Sequence, residues 1–251
     1  MKLFKVVIPK SKLYLMPQNE RIFFILFGAL LNDLSMFQKL MIFSTNSKTK
    51  NRVVRAAQNM QTLSFARFQI GILSKGWQLL QKNYFGTRVS KEYEPLLSEP
   101  AKESLENLKR YFSRNENWMC SVRNRFCFHY PSSEEMEKLI DEAPASEIFE
   151  IFMSEFYGNC FFSMSNTIVN FGILKCTGGS NLQSAMDKLL RDGNKVSRWF
   201  GDFLGECLLV IANKHLGFEH AEVGIPKPCD IYEVTLPYFI RAKQKGVAKN
   251  R

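Results

Sequence analysis

The chain has 251 residues, 45% of them hydrophobic with 22 Phe, and a formal net charge of +10. This composition supplies enough apolar surface for a packed core, so it excludes a natively disordered chain and favours one elaborated domain over residues 1–251. The six cysteines form no C-x-x-C pair, and no histidines accompany them in the pattern of a zinc site. We therefore expect reduced thiols, no metal, no cofactor and a cytoplasmic location.

The positive charge is concentrated at the two ends of the chain. Residues 1–60 hold ten Lys or Arg against two acids, and residues 241–251 hold five against none, which leaves the body at about −3 by difference. Basic ends around a mildly acidic body predict contact with a polyanion. Nucleic acid ranks ahead of a membrane surface, and we expect no membrane partner. For the C-terminal segment alone, a solvated tail without a partner is the alternative.

The first elements are an N-terminal arm and a strongly apolar helix. Residues 1–18 lack the continuous apolar stretch of a signal peptide. Residues 19–44 are apolar around the whole helical circumference, which predicts a helix buried on most sides, with Asn32 and Asp33 needing buried partners. The apolar run at 22–31 is too short to span a bilayer.

A long helix is predicted for residues 51–85, ended by Gly86. It carries more polar side chains than an interior helix usually tolerates. One interpretation is a helix with one solvent-exposed face. The other is that this face lines a functional cleft, with Arg55, Arg67 and Lys75 contacting RNA.

The remaining elements are also mainly helical. We expect a loop at 87–99 and a helix opened by the proline at position 100, followed by the central segment described below. The patterns beyond it predict a capped acidic helix over 132–143, a small β-hairpin over 147–162, helices over 163–174 and 180–217 with a kink or close helix contact near Gly193, and an irregular segment over 218–251.

The central segment carries the pattern most indicative of chemistry. Residues 115–130 place Met119, Val122 and Phe126 at helical spacing, and the proline at 131 predicts that the helix ends at residue 129 or 130. Arg123 lies at the edge of this apolar stripe, where its guanidinium would be partly desolvated, and it needs a partner there.

Arg123 is followed directly by Asn124, and five residues separate Arg123 from His129. This arrangement resembles the signature of the HEPN superfamily, in which an Arg, a polar residue that is often Asn, and a His occur with four to six residues between the Arg and the His. The resemblance implies a HEPN-like helical bundle and a metal-independent endoribonuclease, of the kind found in toxin, abortive-infection and phage-defence systems. It also implies a homodimer, with an antitoxin or regulatory protein as a further partner.

The residue types fit this chemistry. A ribose 2′-hydroxyl can attack its own phosphate, so the protein needs a proton carrier and a group that stabilises charge. A histidine can take and give a proton near neutral pH, and an arginine can bind phosphate oxygens. The interpretation assigns catalysis to Arg123, Asn124 and His129, and an RNA backbone contact to Arg125. Two alternatives stay open: a non-catalytic module of the same fold that binds nucleic acid or a protein, and a structural role for Arg123 and His129.

Overall fold

A computed structural model describes residues 3–46, 48–113, 117–143, 148–216, 220–224 and 226–241. It is mainly helical, with 71% helix, and this confirms the predicted fold class. The predicted basic tail falls almost entirely outside the described residues, as does position 217, the predicted end of the last long helix. The α-helices are α1 (Lys10–Leu15), α2 (Gln18–Thr45), α3 (Arg52–Asn83), α4 (Arg88–Tyr93), α5 (Glu99–Phe112), α6 (Trp118–Val122), α7 (Ser133–Asp141), α8 (Ser163–Cys176) and α9 (Leu182–Leu216).

The long helices α2, α3 and α9 form the centre of the bundle, and their buried side chains join one continuous hydrophobic cluster. Gly76 of α3 lies where the three helices meet. A Cβ built on it would lie 2.8 Å from Leu30 of α2 and 3.3 Å from Phe200 of α9. On the same side of α9, a Cβ on Gly193 would lie 3.3 Å from Ile70 of α3. Gly193 therefore marks a close helix contact, which was one of its two predicted roles.

Helix α2 differs from its prediction, because only one of its faces is buried. The buried hydrophobic residues follow helical spacing from Phe23 through Leu34 to Met41. Asn32 and Asp33 are exposed, so the expectation that they need buried partners was wrong. The sequence pattern was misleading because the outer face of α2 is also apolar.

By length and composition alone, α2 is also the one helix among the described residues that could cross a membrane. The core helix of a soluble protein and a signal sequence can both meet the same criterion. Of the 18-residue window that meets it, 22% is buried inside the molecule.

Local capping was predicted correctly in one case and misplaced in another. The Ser132 hydroxyl accepts a hydrogen bond from the Glu135 amide at 3.2 Å, as the capping box predicts. At the start of α9, for which the predicted helix began at residue 180, the cap is Asn181, whose Oδ1 accepts from the Ser184 amide at 2.9 Å. The predicted loop at 87–99 also contains α4 and a short 3-10 turn, Glu94–Leu96.

The β-structure lies partly where it was predicted and partly elsewhere. Within 148–162, Phe152 and Phe161 form a single antiparallel bridge, with nearly parallel rings whose centroids are 5.8 Å apart. A two-stranded antiparallel sheet pairs β1 (Leu3–Val6) with β2 (His220–Val223). An arm and an irregular segment were expected there, because neither strand is long enough to be recognised without its distant partner.

Candidate functional site

The central segment does not continue as an α-helix through the signature. Helix α6 begins after Asn117, whose side chain accepts from the Met119 amide at 3.0 Å. From Arg123 to Cys127 the backbone forms one π-helical turn, which we call the π-turn. It ends at Cys127, before the predicted helix end at residue 129 or 130, so His129 lies outside any helix. Short π-helical insertions are rare and occur frequently at functional sites.

The three proposed catalytic residues lie on the solvent side of this segment. Arg123 is half-buried as a residue, and its guanidinium Nη1 donates to Oδ1 of the exposed Asn124 at 2.7 Å. His129 is exposed, and no described side chain is hydrogen-bonded to its ring. Arg123 and Asn124 are thus brought together, whereas no hydrogen bond in the described part of the chain joins either one to His129.

Two helices hold the π-turn in place by approaching it very closely. A Cβ on Gly71 of α3 would lie 2.9 Å from the Cys127 Cβ and 3.1 Å from the Phe128 ring. A Cβ on Gly172 of α8 would lie 2.6 Å from the Phe126 ring. Both distances are too short for a side chain, so only glycine fits without a shift. Neither glycine was predicted from the sequence, although a glycine inside a helical pattern is the signal that could have indicated them.

Cys127 anchors the π-turn to α3 and lies close to two arginines. Its thiol donates to the Arg67 carbonyl oxygen at 3.0 Å. Burial raises the pKa of this thiol to about 12, while the positive charges of Arg67 and Arg123 act in the opposite direction. Arg67 is half-buried, and its Cζ is 5.0 Å from the Phe68 ring centroid. Its Nε is buried and has no hydrogen-bond partner among the described residues.

The three RNA-contacting residues predicted on α3, Arg55, Arg67 and Lys75, do not form one cluster. At about 100° and 1.5 Å per residue, Arg67 and Lys75 lie about 40° on either side of Gly71, the point where α3 meets the π-turn. By the same geometry Arg55 lies about 160° away and about 24 Å along the helix. Arg55 and Lys75 are both exposed. Arg67 and Lys75 therefore lie towards the side of α3 that meets the π-turn, Arg55 belongs to another surface, and the RNA contacts of all three stay predictions.

Arg125 already has an anionic partner. Its guanidinium forms an ion pair with Glu135 of α7 and donates to Cys176 of α8 at 3.5 Å. The same group lies 5.2 Å from the Phe126 ring centroid. Arg125 therefore ties the π-turn to both neighbouring helices, and its predicted contact with RNA stays a prediction.

An apolar groove of about 430 Å³ opens immediately beyond His129, between α7 and α8. Tyr130, the residue after the histidine, is 86% exposed at its edge. Apolar side chains dominate the lining, which consists of Tyr130, Met136, Ile140, Phe149, Met164, Ser165, Ile168 and Val169. A partner with an apolar group could therefore be held next to the signature.

A second cluster of titratable groups lies away from the signature and was not predicted from the sequence. Oε2 of the fully buried Glu20 accepts from the Tyr93 hydroxyl at 2.5 Å and lies 2.6 Å from Nε2 of His215. Burial, followed by this hydrogen bond to Glu20, raises the pKa of Tyr93. We call these three residues the Glu20 network. It joins the first turn of α2 to the last turn of α9, where an acid and a histidine respectively suit the helix dipoles.

The described residues contain no group of three or more His, Cys, Asp or Glu side chains arranged to hold a metal ion. Comparisons with known proteins returned no match: no family model fits the sequence, and no curated protein or solved structure is significantly similar to it.

Proposed function

We propose that this protein is a metal-independent endoribonuclease of HEPN type, acting in the cytoplasm in a toxin or phage-defence role. The observation that carries the proposal is the hydrogen-bonded pair of Arg123 and Asn124 on the π-turn, with His129 exposed two residues beyond its end. These polar groups face solvent and are not used to fill the core. A structural role would instead place them in contacts within the bundle.

Each residue has a definite task in this reaction. His129 takes the proton from the attacking 2′-hydroxyl as a base or gives a proton to the leaving 5′-oxygen as an acid, and such transfer contributes about 10²- to 10⁴-fold. Arg123 binds the phosphate oxygens as negative charge develops on them. Asn124 orients the guanidinium by accepting one of its five N–H donors, which leaves the others for phosphate. Arg67, beside the same thiol, adds positive charge.

Cleavage of total RNA in excess EDTA tests the proposal, because none of these tasks needs a metal. His129→Ala and Arg123→Ala should each abolish cleavage while leaving helical circular dichroism and the melting transition intact. Arg198→Ala is the matched control, since Arg198 is an exposed arginine on α9 whose side chain is 83% exposed. Activity that is lost in EDTA and restored by magnesium or manganese would refute the mechanism.

The proposal includes a homodimer with a shared site. One histidine cannot be base and acid at the same moment, and His215 is engaged in the Glu20 network. A two-fold axis beside the π-turn would supply a second His129. If wild-type and His129→Ala chains are co-refolded, activity should then fall as the square of the wild-type fraction. A linear dependence, with dimers confirmed independently, would mean that each chain carries a complete site.

A non-catalytic binding module is the second candidate. The observation that favours it is the apolar groove beside Tyr130, which suits a protein partner such as an antitoxin or regulator. The two functions differ in a simple readout. A binding module retains RNA or protein without cutting RNA, and His129→Ala leaves its affinity unchanged.

A further inference from the structure

The N-terminal part of the molecule exposes a group of apolar side chains on α1 and on the side of α2 that faces away from the bundle. We call it the N-terminal apolar surface. Leu15 is 74% exposed and Ile25 is 52% exposed, although both side chains would normally be covered. Its members are Tyr14, Leu15, Ile22, Ile25, Leu26 and Met36.

Contacts between α1 and α2 make these side chains one surface. The Arg21 guanidinium lies 4.6 Å from the Tyr14 ring centroid, and the Lys10 ammonium lies 5.8 Å from it. Arg21 precedes Ile25 by one helical turn, so the Tyr14 ring lies near the start of the stripe on α2. By helical geometry the exposed Asn32 and Asp33 lie on the same face, so the apolar part of the stripe runs from Ile22 to Leu26 and resumes at Met36.

Positive charge surrounds the N-terminal apolar surface. Lys10, Lys12 and Lys39 are exposed around it, in addition to the half-buried Arg21. The first 46 residues contain two acids, of which Glu20 is fully buried in its network. Asp33 is therefore the single exposed acid on the described part of this segment, residues 3–46.

The opposite face of α2 is committed to the core. Phe23 and Phe27 are fully buried, and Leu30 reaches so close to Gly76 of α3 that no Cβ would fit between them. Removing α2 from the bundle would expose these side chains to water. Only the outer face of α2 is therefore available to contact lipid. This geometry suits a helix that lies on a membrane surface and does not cross it.

We propose that the N-terminal apolar surface binds the surface of an anionic lipid bilayer. Apolar side chains enter the acyl boundary, Tyr14 lies at the headgroup level, and the surrounding lysines and Arg21 contact acidic headgroups. A second copy of this chain fits less well, because a two-fold interface would bring these like charges together. RNA suits the charges, but it would leave the aliphatic stripe of α2 unused.

Flotation of the full chain with vesicles tests the proposal without reference to RNA cleavage. Vesicles of 30% phosphatidylglycerol in phosphatidylcholine should carry the protein to the top of the gradient, and pure phosphatidylcholine should carry much less. Raising the salt should weaken binding, because headgroup charges are screened. The paired change Ile22→Asn with Ile25→Asn should lower the partition coefficient about tenfold or more, since both side chains leave the acyl boundary.

Ile151→Asn is the control, because Ile151 is also about half exposed, at 47%, but lies in the segment 148–162, outside both the N-terminal apolar surface and the lining of the apolar groove. It should float like the wild type, and circular dichroism melts should show that all variants fold. The proposal is refuted if the wild type fails to float with anionic vesicles, or if Ile22→Asn with Ile25→Asn floats unchanged. It is also refuted if sedimentation shows a wild-type dimer that this pair of changes dissociates, or if the pair removes RNA binding while flotation persists.

Discussion

Gly71→Ala should destabilise the protein by pressing on the π-turn. The new methyl carbon would lie 2.9 Å from the Cys127 Cβ, 3.0 Å from its Sγ and 3.1 Å from the Phe128 ring. The Cys127 Cβ is bonded directly to the backbone and cannot rotate away, so the π-turn itself must shift. Overpacking of this kind costs about 1 to 3 kcal/mol. Replacing glycine by alanine within a helix contributes about 1 kcal/mol in the opposite direction.

The net change for Gly71→Ala should therefore lie between about zero and 2 kcal/mol of lost stability. Gly201→Ala isolates the packing component, because Gly201 is an exposed position within α9 where an alanine methyl would have no neighbouring atom within 4 Å. That variant should be stabilised by about 0.5 to 1 kcal/mol. Urea midpoints of both variants give the comparison. If Gly71→Ala is stabilised as much as Gly201→Ala, α3 does not approach the π-turn as closely as these distances indicate, and the reasoning is refuted.

Four further predictions concern the buried and paired groups. Burial raises the pKa of the Cys127 thiol to about 12, so at pH 8 it should react with Ellman's reagent far more slowly than the exposed Cys229, as read by mass spectrometry. Because the unfolded thiol ionises near 8.5, this group should make the protein less stable as the pH rises from about 8.5 to about 12, which urea midpoints measure. Arg125→Gln and Glu135→Gln should each cost less than about 1 kcal/mol, and a double-mutant cycle should show that the two losses are not additive. Glu20→Gln should cost about 1 to 3 kcal/mol in the same denaturation assay, because an amide in place of the carboxyl group offers one acceptor oxygen, where the carboxyl group has two, to the buried network of Tyr93 and His215.

Local patterns in the sequence determined the helical class, the buried stripe at Met119, Val122 and Phe126, and the cap at Ser132. Each of these depends on residues within one or two turns of each other, so spacing alone is informative. The half-buried position of Arg123 at the edge of that stripe follows from the same spacing. The candidate site was accessible to sequence reasoning for this reason, since its residues lie within seven consecutive positions.

Contacts between distant segments were decided by the tertiary structure. The π-turn forms where Gly71 and Gly172 let α3 and α8 close on the central segment, and this moves His129 out of the helix that periodicity predicted. The Glu20 network and the pairing of β1 with β2 join the two ends of the chain, and no local pattern encodes such a meeting. Helix α2 shows the physical reason most clearly. When a helix is apolar on every side, burying any of its faces is favourable. Only the arrangement of the neighbouring helices determines which face is covered.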